Sequence, residues 1–524
     1  MTTLWASFAP HLEKALYACV AVLAAVLLHR LLSRRFAWLA TASFDRLAMA
    51  LLAGGYEVGY RLWGEKTSIG QGFGWDGQGF LVWARHWSKT IFETKLDHYK
   101  VQKSLPAGVI HYAMRALHVE RTDRNILLAF TVAMGVCFVG TTLLWGAIAR
   151  DLRLRRPAAW LGFALLYASF SGLRFFHYIP PLLDPWGMLI GAAMFWLYLR
   201  RWTIALAPLA FVGGFVIPGY LPLLGSVFMF FPRDVPPRRA TWPWLGLGLG
   251  LGLGLVLAKR AWDFHDAGGH ITNDAEQVVP QLVPLSAAAL ALYVGMSLGP
   301  LLARIPTLRG AWSSVRLRWL PVIAGIAWAI PKIVDRVATP VLDVTPEAHQ
   351  RVVLLTAIAR PLASVVASFA FFGPLILLMW LLRKPIGELL WDLGPGAVAA
   401  YAALIVLGID SESRHLMLLL PVGITAVSLA FDRRAGGGHG WFPVVVACLG
   451  IVASRAWISL ESPPLGKLPD GANAWPYPQW TWQRFFMNLG PWMTLESYAY
   501  LGAMGVVCLL VLRWGLRRAG VIRG

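Results

Sequence analysis

The sequence predicts an all-α fold, a polytopic bundle of transmembrane helices. Hydrophobic residues make up 57% of the 524-residue chain and charged residues only 14%, whereas charged residues account for about 25% of a typical soluble domain. Long apolar segments recur along the chain, and arginine clusters separate them at alternate positions. An ordinary soluble multidomain enzyme is therefore excluded.

The apolar segments predict about 13 to 15 membrane spans. A complete span needs about 20 residues, and several segments are shorter, so some are expected to be broken or re-entrant. The whole chain, 1–524, is predicted to form a single membrane-embedded domain. The segments lie at 15–30, 36–56, 126–148, 157–173, 184–199, 203–217, 218–232, 242–258, 283–302, 319–331, 361–382, 395–409, 415–431, 441–458 and 497–514.

The alternation of leucine and glycine between Leu245 and Leu255 has the period of a strand. An isolated strand leaves its backbone hydrogen bonds unsatisfied in lipid, so a helix is the better interpretation. Its glycines would allow close packing against neighbouring helices.

The net charge of +20 would indicate nucleic acid in a soluble protein, but here it is concentrated in alternate loops. Positively charged loops remain in the cytoplasm, so we predict a cytoplasmic carboxyl terminus and no nucleic-acid partner. The intervening loops, which carry most of the acidic residues, are then extracytoplasmic. The arginine-rich loops lie near residues 30–35, 150–156, 233–239, 304–318, 433–434 and 513–518.

The first extracytoplasmic loop, predicted at 57–125, contains an acidic motif that runs from Gly74 to Phe80. Its carboxylate, Asp76, lies among glycines and close in sequence to the amide of Gln78, which is a candidate for substrate binding. Glycine lets the backbone approach a ligand closely, and a carboxylate at a membrane surface is unfavourable unless it has a function. Two amphipathic stretches follow, predicted as interfacial helices at 80–91 and 105–117.

The sequence resembles the integral membrane glycosyltransferases of the GT-C type. The resemblance rests on Asp-Gly-Gln-Gly-Phe at 76–80, on the linker Leu96–Pro106 between the two amphipathic stretches, and on Glu412–Met417 followed by Leu-Pro at 420–421. It implies transfer of a sugar from a polyprenyl-phosphate carrier to a glycan, lipid or protein acceptor. It also implies a bacterial inner (plasma) membrane, with an extracytoplasmic active face.

Such a transfer needs a general base for the acceptor hydroxyl and cationic donors for the departing phosphate. Asp76 is the predicted base and Asp97 the predicted second carboxylate. For Asp76 the alternative is a cap on a helix that begins near Gln78. Lys100 and Lys103 are candidates for binding the phosphate.

Further candidates for substrate binding lie in later loops. Arg414 and His415 open a late span and Glu412 precedes them; all three are candidates, although Arg414 could equally form a local ion pair with Glu412. The segment with Arg174, His177 and Asp184 surrounds a Pro-Pro pair that prevents a continuous helix, and structural roles remain open for His177 and Asp184. The remaining candidates are Arg351 in the 332–360 loop and Trp480 in the tryptophan-rich 459–496 loop.

The residues leave three questions open, on the tryptophan-rich loop, on a metal site and on the function itself. Interfacial tryptophans such as Trp480 either anchor the protein at headgroup depth or provide a platform for a sugar ring. No tight zinc motif is present, so we predict no firmly bound metal or cofactor, although scattered carboxylates leave a divalent-cation site open. Two other functions remain, a transporter or flippase of a lipid-linked sugar and a non-catalytic scaffold of an envelope complex.

Overall fold

The structure is a computed structural model with full side chains. It describes residues 2–67, 69–94, 96–231, 233, 243–266, 280–303, 315–339, 357–358, 360–409, 413–436, 439–455 and 495–522.

The described chain folds into α-helices joined by short 3-10 and π-helical segments. The predicted all-α class is thereby confirmed. The first fourteen helices are α1 Thr2–Arg35, α2 Ala42–Trp63, α3 Gly74–Arg85, α4 Trp87–Phe92, α5 His98–Val101, α6 Leu105–Ala116, α7 Asp123–Asp151, α8 Arg156–Tyr167, α9 Phe176–Tyr178, α10 Asp184–Leu199, α11 Thr203–Gly213, α12 Tyr220–Phe230, α13 Pro243–Asp266 and α14 Val283–Leu302. The others are α15 Leu320–Val337, α16 Ala363–Phe372, α17 Pro374–Leu381, α18 Arg383–Leu393, α19 Pro395–Leu407, α20 Leu420–Arg434, α21 Phe442–Ser454 and α22 Leu495–Arg518. The 3-10 segments are Ala37–Ala40, Ile69–Gly72, Pro280–Leu282, Leu317–Trp319 and Ser413–Leu419, and the π-helical segment is Ser171–Phe175.

Six helical segments in the described part of the chain are long and apolar enough to cross a membrane. Two bent helix pairs, with bends of 59° and 120°, raise the number to as many as eight. The protein is therefore an integral membrane protein with several spans, some of them broken, while its orientation stays a prediction. The six segments are Glu13–Arg35, Asp123–Asp151, Val283–Leu302, Leu317–Val337, Ser413–Arg434 and Tyr498–Arg518; the bent pairs are α8 with Ser171–Tyr178 and α16 with α17.

The Leu-Gly segment is helical, as predicted, and lies within α13. Gly246, Gly250 and Gly254 recur every four residues and face the backbone of α14. A β-carbon at Gly250 would lie 2.4 Å from the carbonyl oxygen of Ala291, so glycine is required for this approach. The intervening glycines at 248 and 252 have open space around them. One face of α13 therefore packs closely on α14.

The centre of the bundle is the segment Ser413–Arg434, in which 94% of the apolar window is buried. Its helical part, α20, contacts α8, α10 and α18. At its end the carboxylate of Asp432 accepts hydrogen bonds from the backbone and guanidinium of Arg155, at 3.1 and 3.0 Å. Nearby in sequence, Arg156 forms an ion pair with the buried Asp45. Burial of these carboxylates is compensated by direct pairing.

The pair of Asp45 and Arg156 predicts a strong effect on stability. The Asp45 carboxylate accepts hydrogen bonds from Arg156 at 2.8 Å and from the indole of Trp160 at 3.0 Å. We expect Asp45→Ala to lower the free energy of unfolding by about 3 kcal/mol, because it leaves a partly buried cation without its counter-charge. An SDS titration in mixed micelles measures this change.

The control is Glu388→Ala, which removes an exposed ion pair with Arg434 and should change stability by less than about 1 kcal/mol. Equal effects of the two substitutions would contradict the prediction.

The region predicted as the first outer loop contains three longer helices, α3, α4 and α6. The predicted stripe at 80–91 is interrupted at His86, where α3 ends and α4 follows. In the second predicted amphipathic stretch, Ile110 is buried together with Ala107, His111 and Met114 of α6, while Val109, Tyr112 and Leu117 are exposed. Helices α3 and α6 pack together in a hydrophobic cluster that contains Phe73, Phe80, Trp83, Ile110, Phe130 and Leu183.

Candidate functional site

The loop from Ile179 to Leu183 joins α9 to α10 and so connects the candidate residues Arg174 and His177 to Asp184. The Pro180-Pro181 pair interrupts the helical backbone here, and α10 begins at Asp184. A β-carbon at Gly74 would lie 2.8 Å from the side chain of Ile179, and one at Gly77 would lie 3.3 Å from Pro181. The first turn of α3, with the acidic motif, therefore packs directly on this loop.

Asp76 lies in the first turn of α3, which begins at Gly74 after the N-cap residue Phe73. The expected helix start near Gln78 is thus four residues too late. Asp76 does not occupy the N-cap position, which was the structural alternative for this residue. The side chain of Asp76 lies outside the described part of the structure, and Gln78 is exposed. The partial positive charge of a helix amino terminus stabilises a carboxylate in the first turn.

The buried carboxylate of Asp184 lies among cations from two other parts of the chain. Arg414 and His415, which open the 3-10 segment Ser413–Leu419, and Lys103, which precedes α6, all lie close enough to act electrostatically on it. The segment is held against α10 because Gly191 allows the carbonyl of Leu418 to approach. We call these four residues the Asp184 cluster. It combines one carboxyl group with Arg414, Lys103 and an imidazole, so it has a net positive charge that suits a phosphate group.

The ring of His415 in the Asp184 cluster stacks on Tyr220, with the centroids 5.8 Å apart and the planes 25° apart. Tyr220 opens α12 directly after Gly219, which has a positive φ of 77°. Lys103 lies over the ring of Tyr99, 3.8 Å from its centroid. Both side chains thus contact an aromatic ring, and for Lys103 this contact is a cation–π interaction. Neither ring was among the candidates predicted from the sequence.

Asp97 caps α5. Its carboxylate accepts a hydrogen bond from the backbone N–H of Lys100 at 2.9 Å and forms an ion pair with the Lys100 ammonium at 2.8 Å. Burial opposes ionisation of this carboxyl, but the Lys100 ammonium and neighbouring backbone N–H groups outweigh burial and hold the pKa of Asp97 below its ordinary value. A weaker base accepts a proton less readily, so this environment favours a structural role. The catalytic role of Asp97 stays a prediction.

His177 and Arg174 belong to a second polar cluster, buried between α2 and the π-helical segment. The Nδ1 atom of His177 lies 3.1 Å from the Glu57 carboxylate, and its Nε2 atom lies 2.6 Å from the carbonyl oxygen of Gly172. Arg174 forms an ion pair with Glu65. The His177 ring packs against Tyr56, Tyr60 and Phe138, with ring centroids 5.1, 4.9 and 5.0 Å away. Both residues are thus paired within the protein.

The α2 residues of this second cluster were missed because the sequence interpretation ended the apolar segment at residue 56. The helix continues to Trp63, so Glu57 is part of α2, and its side chain is largely buried against His177. The sequence did contain a signal for this cluster, because Glu57 lies four positions before Arg61 at the end of an apolar segment. Ionisable residues within helical segments of membrane proteins commonly mark functional or structural pairs.

Three predicted site residues, Arg351, Glu412 and Trp480, lie outside the described residues. Their roles stay predictions. Among the residues that are described, no group of three or more histidine, cysteine, aspartate or glutamate side chains is arranged to hold a metal ion.

The fold and the sites together define a polytopic helical integral membrane protein with a charged cluster that joins distant parts of the chain. Comparison with protein-family models, with curated proteins and with solved structures gave no match. The chemistry of the site must therefore be argued from its own residues.

Proposed function

We propose that the protein is a membrane glycosyltransferase of the GT-C type, which transfers a sugar from a polyprenyl-phosphate carrier to an acceptor on the extracytoplasmic face. The observation that carries this proposal is the Asp184 cluster, in which Lys103, Arg414 and His415 from distant parts of the chain all act electrostatically on one buried carboxyl group. A surplus of positive charge in a protected site is what a departing lipid phosphate requires.

In the proposed reaction, the acceptor oxygen forms a bond to the anomeric carbon while the bond from that carbon to the phosphate oxygen breaks. The acceptor proton passes to a carboxylate, for which Asp76 is the candidate, and the negative charge that develops on the lipid phosphate is stabilised by Arg414 and Lys103. The packing of the first turn of α3 on the loop before Asp184 supports this division of roles.

The proposal is tested with purified protein in nanodiscs that contain polyprenyl-phosphate sugars labelled in the sugar. We expect one of these donors to lose its label to an acceptor, with release of polyprenyl phosphate, in a panel of lipid, glycan and peptide acceptors. Protein that has been heat-inactivated is the control.

The transporter alternative is favoured by the two bent helix pairs, because broken helices are common in transporters. It predicts movement of the intact lipid-linked sugar across the bilayer of a proteoliposome without loss of the label. Such movement, together with no transfer in the nanodisc assay, would overturn the proposed enzymatic function.

A further inference from the structure

An apolar groove of about 540 Å³ runs along the surface between α2 and α7. On α7 it extends from Leu128 to Leu143, and 15 residues of helix rise about 22 Å. This length covers most of the roughly 30 Å hydrocarbon core of a bilayer. Its wall includes Gly54, Val58 and Leu62 of α2 and Leu128, Val136 and Leu143 of α7.

A smaller pocket of about 160 Å³, more polar than the groove, adjoins it. The two cavities have Glu57, Arg61 and Thr131 in common in their walls. Beyond these residues, the pocket is lined by polar groups that include Lys66 and Gln71. An apolar groove of membrane-spanning length thus leads to a polar pocket at the end of α2.

The charges around the pocket have a positive sum, because Arg61, Lys66 and Arg174 outnumber the carboxylates of Glu57 and Glu65. The carboxylate of Glu57 is paired with His177, and that of Glu65 with Arg174. Arg61 and Lys66 form no ion pair with any residue that the structure describes. A guanidinium offers several hydrogen-bond donors and an ammonium offers a mobile point charge, and both suit phosphate oxygens.

We propose that this composite site binds one lipid with a net anionic phosphate headgroup. The headgroup lies in the polar pocket beside Arg61 and Lys66, and one apolar chain lies in the groove between α2 and α7. Bulk zwitterionic lipid would cover the groove but would bring no net negative charge to balance the two cations. This binding does not depend on the proposed sugar transfer, since neither Arg61 nor Lys66 belongs to the Asp184 cluster.

The test measures lipid retention on the full-length protein. The protein is delipidated in detergent, titrated with dioleoylphosphatidylglycerol or dioleoylphosphatidylcholine, and analysed by native mass spectrometry. We expect one phosphatidylglycerol to be retained in preference to phosphatidylcholine. In the double variant Arg61→Gln with Lys66→Gln, the affinity for phosphatidylglycerol should fall roughly thirtyfold, about fivefold for each charge. Equal retention of the two lipids by the parent, or unchanged retention by the double variant, would overturn the proposal.

The groove is tested separately with Val136→Trp, which fills it, and with Leu52→Trp as the matched control. Leu52 is exposed on α2 but does not line the groove. We expect phosphatidylglycerol to be lost from the first variant and retained by the second, and Val132→Trp serves as another filling variant if Val136→Trp does not fold. Retention by a folded filling variant, or competition by inorganic phosphate at the affinity of the lipid, would show that the chain does not occupy the groove.

Discussion

Asp76→Asn is expected to abolish sugar transfer, with a loss of about 100- to 10,000-fold in rate, while expression and thermal stability remain close to those of the parent. An amide cannot accept a proton near neutral pH, and removal of a general base typically reduces the rate by that factor. Turnover of a polyprenyl-phosphate sugar by the purified variant, under single-turnover conditions, measures the effect on the chemical step.

The position of Asp76 makes this substitution more informative than a change at a cap. The N-cap of α3 is Phe73, and Asp76 lies in the first turn of the helix. Loss of its charge should therefore change the stability of the helix by only about 0.3–1 kcal/mol. Glu93→Gln, at an exposed position after α4, is the matched control and should leave transfer unchanged. Parental activity in the Asp76 variant would transfer the role of base to Asp97 or favour a transport function.

Local features of the fold were accessible from the sequence, because they depend on composition and on neighbouring residues. The helical state of the Leu-Gly segment follows from the need to satisfy backbone groups in lipid, and the break at Pro180-Pro181 follows from proline geometry. The start of α3 was predicted too late, because glycines at 74 and 77 suggested a turn while the helix in fact includes them. Close packing against Ile179 and Pro181 explains their presence within the helix.

The composition of the Asp184 cluster was accessible only in part. Lys103, Asp184, Arg414 and His415 were each candidates, but they are separated by up to some three hundred positions, and nothing in a single sequence indicates that they meet. Their proximity depends on the packing of α10 against Ser413–Leu419. The pairing of His177 with Glu57 was equally hidden, because it joins two helices through the interior. Candidate site residues can be predicted from a sequence by their chemistry, whereas their partners across a helical bundle depend on tertiary packing.

Arg414→Ala should weaken binding of the carrier phosphate by about 10- to 100-fold, and Arg414→Lys by clearly less. A charge-assisted hydrogen bond contributes about 1.5–3 kcal/mol, and lysine retains the charge but not the planar fork of donors. Affinity for polyprenyl phosphate, measured by native mass spectrometry, distinguishes the two variants, provided that each elutes as a folded protein.

Because Arg414 also lies close enough to influence Asp184, its loss could act through that carboxylate alone. The double variant Arg414→Ala with Asp184→Asn separates the two effects. If Arg414 only neutralises Asp184, the double variant should regain the parental affinity. If Arg414 binds the phosphate, the weak binding should persist, because removing the carboxylate charge does not replace the missing donors.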